Sequence, residues 1–239
     1  MRSLAWLSCL VSLASGLTTG GCTAKPLPPL NHDALRASGP QTLMVAADRS
    51  PPITAEGPAR EGPDIRSAFG LMGAAMIASR DQTANRKRAR WMKGCGSEDP
   101  VDEIRETLGE ELARALSLHL VASERRTKAK DPEDVIKDYP GADLVLDIRT
   151  SKWGVHRVDA ASVRGEVHFA VLYEGSVRLI DARKQAVVAE GTCSVQYSNG
   201  EDPPTITELL EDDCALLDKG LALTSETCAK RLRAALGLQ

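Results

Sequence analysis

Three stretches in the second half of the chain constrain its fold most, because each alternates apolar and polar residues with the two-residue period of a half-buried strand. They are "ADLVLDIRTSKWGV" (142–155), "EVHFAVLYEGSVRLIDA" (166–182) and "AVVAEGTCSVQY" (186–197). The short turn "ARKQ" before the last stretch predicts an antiparallel hairpin. Gly175 predicts a β-bulge in the middle stretch. The alternation in the last stretch predicts that Val187 and Cys193 share the face that points to the core.

Helical spacing of apolar residues recurs on both sides of these strands. It predicts helices over 64–80, 97–123, 131–142 and 203–237, after a first strand over 42–47. Thr205 and Glu208 are spaced as in a capping box at the start of the last helix. His119 lies near the apolar face of its predicted helix, which favours a partly buried core histidine. Together the elements predict an α+β fold with a mixed, largely antiparallel sheet and helices packed on one face.

The first residues of the chain have the pattern of an export signal. Arg2 precedes the apolar stretch Leu4–Leu17, and small residues then lead to Cys22. Such a stretch is too short to span a membrane and is typical of a secretory signal. This segment has three alternative fates: cleavage before Cys22, a plain signal cut before Lys25, or retention as an uncleaved anchor. We predict a signal peptide over 1–21, a flexible tether over 22–40 and a single domain over 41–239.

Whether the mature chain has an even or odd number of cysteines indicates whether Cys22 remains a free thiol. The six cysteines are Cys9, Cys22, Cys95, Cys193, Cys214 and Cys228. Cys9 lies within the signal, so four cysteines remain in the mature chain if Cys22 is acylated or removed. Five remain if Cys22 stays as a thiol, and an unpaired thiol is less expected in an oxidising compartment. Parity therefore argues against a retained, unmodified Cys22.

The other four cysteines are the candidates for two disulfides. On one continuous helix, Cys214 and Cys228 would lie about 21 Å apart, beyond the reach of a disulfide. Each must therefore pair with Cys193 or Cys95, which leaves two connectivities. In an antiparallel strand and helix, residues at the same height along the two elements lie side by side. This comparison favours Cys193–Cys214 over Cys193–Cys228. Either arrangement would pin the last helix and the 80–96 loop to the sheet.

A basic segment precedes the predicted helix over 97–123. Within residues 80–94 it contains Arg86, Lys87, Arg88, Arg90, Trp91 and Lys93. Such a patch could bind anionic lipid head groups or an acidic envelope polymer. The alternative is a solvated basic loop near 80–96 with one anchoring tryptophan.

The sequence contains no recognisable catalytic or phosphate-binding motif. No nucleophile elbow, phosphate loop, zinc-protease motif or paired-carboxylate constellation occurs. His156 and His168 could meet across a hairpin and hold a metal with Asp147, but strand histidines are more often surface residues. We therefore predict no catalytic residues, no metal and no cofactor, and expect that the protein is not an enzyme. A hydrolase with an unrecognised site is the alternative. The net charge of −3 gives no indication of nucleic-acid binding.

The segment "LTTGGCTAKP" (17–26) resembles the lipobox of bacterial lipoproteins, in which the cysteine is acylated and becomes the first mature residue. The family prefers leucine three places before the cysteine, where this chain has Thr19. The resemblance implies that residues 1–21 are a lipoprotein signal peptide and that Cys22 carries a palmitate-bearing membrane anchor. Thr23 stands where aspartate would retain a lipoprotein in the inner membrane, which implies the outer membrane, facing the periplasm.

The segments "ADLVLDIRT" and "SVRLIDARKQAVVAEGTCSV", followed by a closing helix, resemble a family of periplasmic α/β domains. This family includes the N-terminal part of the Tol-system translocation protein, the curli-secretion lipoprotein and the lipoprotein activators of cell-wall synthases. Its members scaffold, activate or secrete. The resemblance therefore implies an accessory factor that contacts envelope proteins. It also favours Cys193–Cys228 with Cys95–Cys214.

Overall fold

The computed structural model describes residues 30–48, 50–56, 86–87, 90, 92–121, 127–158, 167–200 and 203–238. The signal peptide, Cys22 and the helix predicted over 64–80 lie outside the described residues. Arg88 and Trp91 of the basic segment also lie outside them.

One mixed sheet organises the described part of the chain. Its strands are β1 (Thr42–Ala46), β2 (Thr54–Glu56), β3 (His119–Val121), β4 (Leu144–Val158), β5 (His168–Asp181) and β6 (Ala186–Tyr197). The order is β3-β1-β4-β5-β6, and β2 pairs with the far end of β4. β1 runs parallel to β3 and β4, β2 runs parallel to β4, and the long β4-β5 and β5-β6 pairs are antiparallel. The predicted α+β class with a mixed sheet is confirmed.

The predicted bulge at Gly175 is wrong, because Gly175 pairs regularly with Thr150 on one side and Cys193 on the other. The register of β4 instead shifts between Thr150 and Lys152. A second shift lies opposite Leu179 and Ile180, where β6 contains one additional residue. This extra residue reverses the alternation in β6, so Val187 packs on the opposite face from Cys193.

The helices are α1 (His32–Ala37), α2 (Val101–Leu116), α3 (Pro132–Asp138), α4 (Ile206–Leu210) and α5 (Ala215–Ala235). The two long helices, α2 and α5, pack on one face of the sheet, as predicted. Their buried side chains join the main core with those of β4 and β5; among them are Leu108, Leu112, Leu217, Leu221, Leu144 and Leu146. The short α3 is an exception, because Val135 packs with Val145 and Ile180 on the opposite face.

The helix predicted over 97–123 ends early. Ser117 adopts a left-handed backbone with φ of 57°, which terminates α2, and residues 119–121 form β3 beside β1. The predicted burial of His119 is also wrong, since its side chain is exposed on this edge strand. The apolar residues after Leu116 therefore continue the helical spacing only by coincidence.

The predicted tether over 22–40 is wrong in its second half, because α1 packs on the domain. Leu35 is buried in the main core. His32 Nε2 lies 2.7 Å from the carbonyl oxygen of Leu236, and Arg36 Nε donates to the carbonyl of Ala115 at 3.1 Å. These contacts fix α1 against the C-terminal ends of both long helices.

The last predicted helix, over 203–237, is interrupted. Thr205 and Glu208 form the predicted capping box at the start of α4. A 3₁₀ turn, Asp212–Cys214, then separates α4 from α5, and its three residues all have positive φ angles of 49–66°. The turn redirects the chain and places Cys214 beside the segment that precedes α2.

Candidate functional site

Two disulfides hold the ends of the domain together. The structure joins Cys95 to Cys214 and Cys193 to Cys228, with Cα separations of 5.7 and 5.4 Å. This is the pairing that the family resemblance favours. It differs from Cys193–Cys214, the pair favoured by comparing positions along the strand and the helix. The comparison of strand and helix levels failed because it assumed one continuous helix. Instead α5 begins at Ala215 and places Gly220 beside Tyr197 at the end of β6, so Cys228 rather than Cys214 lies level with Cys193.

The two disulfides account for all four cysteines that follow Cys22. The sulfur of Cys193 faces the core from β6, and Cys228 is fully buried on α5. Cys95 and Cys214 instead line a surface cavity of about 380 Å³ together with Gly94, Leu210 and Asp213. The cavity therefore gives solvent access to one disulfide, while the other lies within the packed layer between α5 and the sheet.

The basic segment was predicted as a loop, and this prediction is wrong for its described residues. Residues 86, 87, 90 and 92–94 are helical. The side chain of Met92 is 0% exposed and belongs to the main core, whereas Arg86, Lys87, Arg90 and Lys93 are exposed. Burial of Met92 explains the helix, because it gives the segment one apolar side that packs on the domain.

Further contacts fix the position of the basic segment. The Cys95–Cys214 disulfide links its end to the 3₁₀ turn, and the Ser97 hydroxyl donates to Asp218 of α5 at 2.6 Å. The described cations are therefore presented by an anchored surface. They were predicted from composition alone.

Exposed carboxylates lie on α2 and around the 3₁₀ turn, and sequence reasoning did not single them out. Glu103, Glu106 and Glu110 are exposed along α2. Glu211, Asp212 and Asp213 are exposed around the 3₁₀ turn. The sequence shows acids three and four residues apart on a predicted helix, but this pattern indicates only a solvated helix face.

A buried polar cluster lies at the start of α2. Asp99 Oδ1 accepts hydrogen bonds from the Val101 amide at 3.0 Å and from the Thr150 hydroxyl at 2.9 Å. Thr150 Oγ1 is also 2.9 Å from the Tyr173 hydroxyl. The second carboxylate oxygen of Asp99 is buried without a hydrogen-bond partner. Arg105 completes the cluster by donating to the Ile148 carbonyl at 3.0 Å.

Burial dominates the electrostatics of this cluster. It raises the pKa of the Asp99 carboxyl above its ordinary value of 3.8, against the lowering effect of its polar neighbours Ser50, Thr150 and Val101. Burial also raises the pKa of the Tyr173 phenol, which therefore keeps its proton at neutral pH. The hydroxyl groups of Thr150 and Tyr173 are used in bonds within the cluster, which joins the start of α2 to β4 and β5.

The three residues weighed as a metal site are not brought together. Asp147 forms ion pairs with Arg149 and Arg178 at 2.8 and 2.5 Å. It lies nine residues from His156 along β4, or about 30 Å. Within the described residues, no cluster of histidine, cysteine or carboxylate side chains could hold a metal ion.

No known protein family matches the chain, and no curated protein matches it in sequence. Several solved structures resemble the fold at low identity. The PelC dodecamer from Paraburkholderia phytofirmans is 13% identical, with 90% of this chain and 95% of that chain covered and a TM-score of 0.36. Protein XCC0632 from Xanthomonas campestris is 14% identical, with coverages of 88% and 87% and a TM-score of 0.34.

Lipoprotein GNA1162 from Neisseria meningitidis is 14% identical, with coverages of 79% and 97% and a TM-score of 0.26. Structural likeness of this degree establishes no shared function. In the described part of the chain, every helix is too short or too polar to cross a bilayer.

Proposed function

We propose that the protein is a lipid-anchored accessory factor of the bacterial envelope, acylated at Cys22 and without catalytic activity. One observation carries the proposal. The four cysteines of the described domain are consumed by two disulfides, so Cys22 is the one cysteine beyond the signal that remains for another use. Disulfides of this kind are typical of exported proteins, since cytosolic thiols are kept reduced.

The position of α1 supports an anchor at this residue. Leu30, where the described chain begins, lies eight Cα–Cα steps after Cys22. Fully extended, they span at most about 28 Å. The domain would therefore stay close to the membrane surface, with α1 and the C-terminal ends of α2 and α5 at the end nearest the anchor.

The outer membrane is the location that we propose, with the domain in the periplasm, and envelope proteins are the proposed partners. The presence of Thr23 after the acylated cysteine favours this membrane. The basic segment and the start of α2 lie at the far end of the 16-residue α2 from α1, about 24 Å away. This end of the domain would face away from the anchoring membrane and be accessible to partners.

Metabolic labelling with a palmitate analogue tests the anchor. The full chain should be labelled and should fractionate with the outer membrane, whereas Cys22→Ala should lose the label and become soluble in the periplasm. Cys9→Ala is the matched control, since Cys9 is removed with the signal, and it should remain labelled. Thr23→Asp should move the labelled protein to the inner membrane. A Cys22→Ala protein that still takes up palmitate would refute the proposal.

Binding of an envelope polymer or anionic lipid by the basic segment is the second candidate function. The exposure of Arg86, Lys87, Arg90 and Lys93 favours it. Replacing Arg86, Arg90 and Lys93 with glutamate should then abolish sedimentation with peptidoglycan and with phosphatidylglycerol vesicles. Unchanged sedimentation of this variant would exclude the candidate.

A further inference from the structure

The two disulfides differ in what surrounds their sulfur atoms. Cys228 is fully buried on α5, and Cys193 is buried on β6, where its sulfur lies 3.6 Å from the carbonyl oxygen of Gly175. We call this pair the buried disulfide. A disulfide is opened by a thiolate that reaches one of its sulfurs, so packing of this kind protects the bond while the chain stays folded.

The Cys95–Cys214 pair, which we call the surface disulfide, opens on a cavity instead. The two cysteines line this cavity of about 380 Å³ together with Gly94, Leu210 and Asp213. Cys95 is partly exposed, whereas Cys214 is buried. The sulfur of Cys95 is therefore the one to which we assign an incoming thiolate, and Cys214 is the group that leaves.

Glycines flank Cys95 on both sides. In the part of the chain that the structure describes, a Cβ added at Gly94 or Gly96 would have no heavy atom within 4 Å. Space is thus open beside Cys95 where a larger residue would place its side chain. The cavity admits a small thiol, and the two glycines leave room for a thiol that is carried by another protein.

The turn that holds Cys214 favours opening of the surface disulfide. Its residues Asp212, Asp213 and Cys214 have φ angles of 49°, 53° and 66°. This left-handed conformation costs energy in residues that carry a Cβ, so contacts must hold the turn, and the surface disulfide is one of them. Opening the bond lets the turn relax, which favours the reduced state.

The chain stays attached to the domain on both sides of Cys95. Met92 is fully buried in the main core, and the Ser97 hydroxyl donates to Asp218 of α5 at 2.6 Å. Opening the surface disulfide therefore frees residues 93–96 and leaves the rest of the fold in place.

We propose that the surface disulfide is a thiol–disulfide exchange site for a protein with two cysteines in its active site, and that the buried disulfide is structural. The oxidised chain is the resting state. Exposed carboxylates of Glu211, Asp212 and Asp213 surround the turn and repel a small anionic thiol such as glutathione. A protein can offset this repulsion with basic groups on its own surface. The exchange chemistry is independent of acylation at Cys22, and only the place where such a protein is met rests on the proposed export.

The exchange takes two steps. A thiolate of the partner bonds to Cys95 Sγ and breaks the bond to Cys214, which leaves as a thiolate and takes a proton from water. The second thiolate of the partner then attacks the partner sulfur of this mixed disulfide and releases Cys95 as a thiolate, which is also protonated. Two electrons pass from the partner dithiol to the chain, and the partner keeps the disulfide.

Selective reduction tests the proposal with the oxidised full chain in detergent micelles and reduced thioredoxin as the dithiol probe. Alkylation at timed intervals and peptide mass spectrometry give the rate at each cysteine. The surface disulfide should open at least about tenfold faster than the buried disulfide. A thioredoxin variant without its second cysteine should be trapped on Cys95, with Cys214 free.

Two variants test the route. Gly94→Trp fills the open side of Cys95 and should slow the reaction with thioredoxin at least about fivefold, with a smaller effect on dithiothreitol. Lys130→Trp is the matched control, because it adds the same side chain at an exposed position outside the cavity. Asp213→Asn removes a carboxylate and keeps a residue type that tolerates the left-handed turn, so it should speed the reaction about two- to fivefold at low salt.

The proposal is overturned if both disulfides open at the same rate, or if the surface disulfide opens only as fast as β4 and β5 lose protection from hydrogen exchange. Trapping on Cys214 would refute the assigned attack. Reaction of Gly94→Trp at the unmodified rate, with its unfolding temperature kept, would refute the route, as would an unchanged rate for Asp213→Asn. Faster opening by glutathione than by thioredoxin at equal thiol concentration would assign the site to small thiols instead.

Discussion

Replacing Cys95 and Cys214 together with alanine should destabilise the domain more than the same change at Cys193 and Cys228. The two disulfides close loops with sequence separations of 119 and 35 residues. Because the entropy removed from the unfolded chain grows with the logarithm of loop length, the chain-entropy model gives about 4.9 kcal/mol for the first and about 3.8 kcal/mol for the second. The loops overlap, so each value is the single-loop figure and an upper bound for removal of one disulfide while the other is intact.

Guanidinium unfolding of the full chain under non-reducing conditions measures both losses. Hydrogen exchange should show faster exchange at residues 92–97 in the Cys95→Ala, Cys214→Ala variant and unchanged protection of β4 and β5. The Cys193→Ala, Cys228→Ala variant is the matched control, since it opens the shorter loop without releasing the basic segment. A loss below about 1 kcal/mol for the first variant would refute the reasoning that this disulfide anchors the basic segment.

Three further substitutions test the packing and the electrostatics. Gly220→Ala should lower the free energy of unfolding by about 1 kcal/mol in a denaturant titration. Its Cβ would lie 2.5 Å from Val171 Cγ2, and the strain of about 1–3 kcal/mol exceeds the gain in helix propensity of about 1 kcal/mol. Asp147→Ala should cost about 3 kcal/mol in the same assay, because it leaves the buried ends of Arg149 and Arg178 without their carboxylate. Asp99→Asn should lose less stability than the unmodified chain as the pH rises above 3.8. The raised pKa of Asp99 means that the folded state binds more protons than the unfolded state, so ionisation opposes folding; parallel pH profiles of the two proteins would contradict this.

The central strands could be predicted from the sequence because their period is local. β4, β5 and β6 lie close to their predicted ranges, and Leu144, Leu146 and Ile148 share the core face. The extra residue in β6 could not be predicted, since it depends on pairing with β5. One residue of slip was enough to move Val187 to the other face.

Helix boundaries failed where a left-handed residue ends a helix without glycine. Ser117 terminates α2, and three successive residues with positive φ, Asp212, Asp213 and Cys214, separate α4 from α5. Aspartate adopts this conformation more often than most residues, but serine and cysteine do not, and tertiary contacts stabilise it here. The disulfide at Cys214 is one such contact, which explains why the turn and the pairing could not be predicted separately.

The basic segment was recognised from composition, but its role could not be. The sequence shows how many cations it has, and only the structure shows that Met92 and Cys95 orient them. The exposed carboxylates of α2 were not singled out, because exposed carboxylates on a helix are common.

Mass spectrometry of the mature protein, combined with a count of free thiols, tests the central claim most directly. The account predicts a chain that begins at Cys22 and carries acyl chains on that residue. It also predicts no free thiol and the disulfide-linked peptides Cys95–Cys214 and Cys193–Cys228. A mature chain that retains Cys22 as an unmodified thiol, or one that begins at Lys25 without lipid, would contradict it.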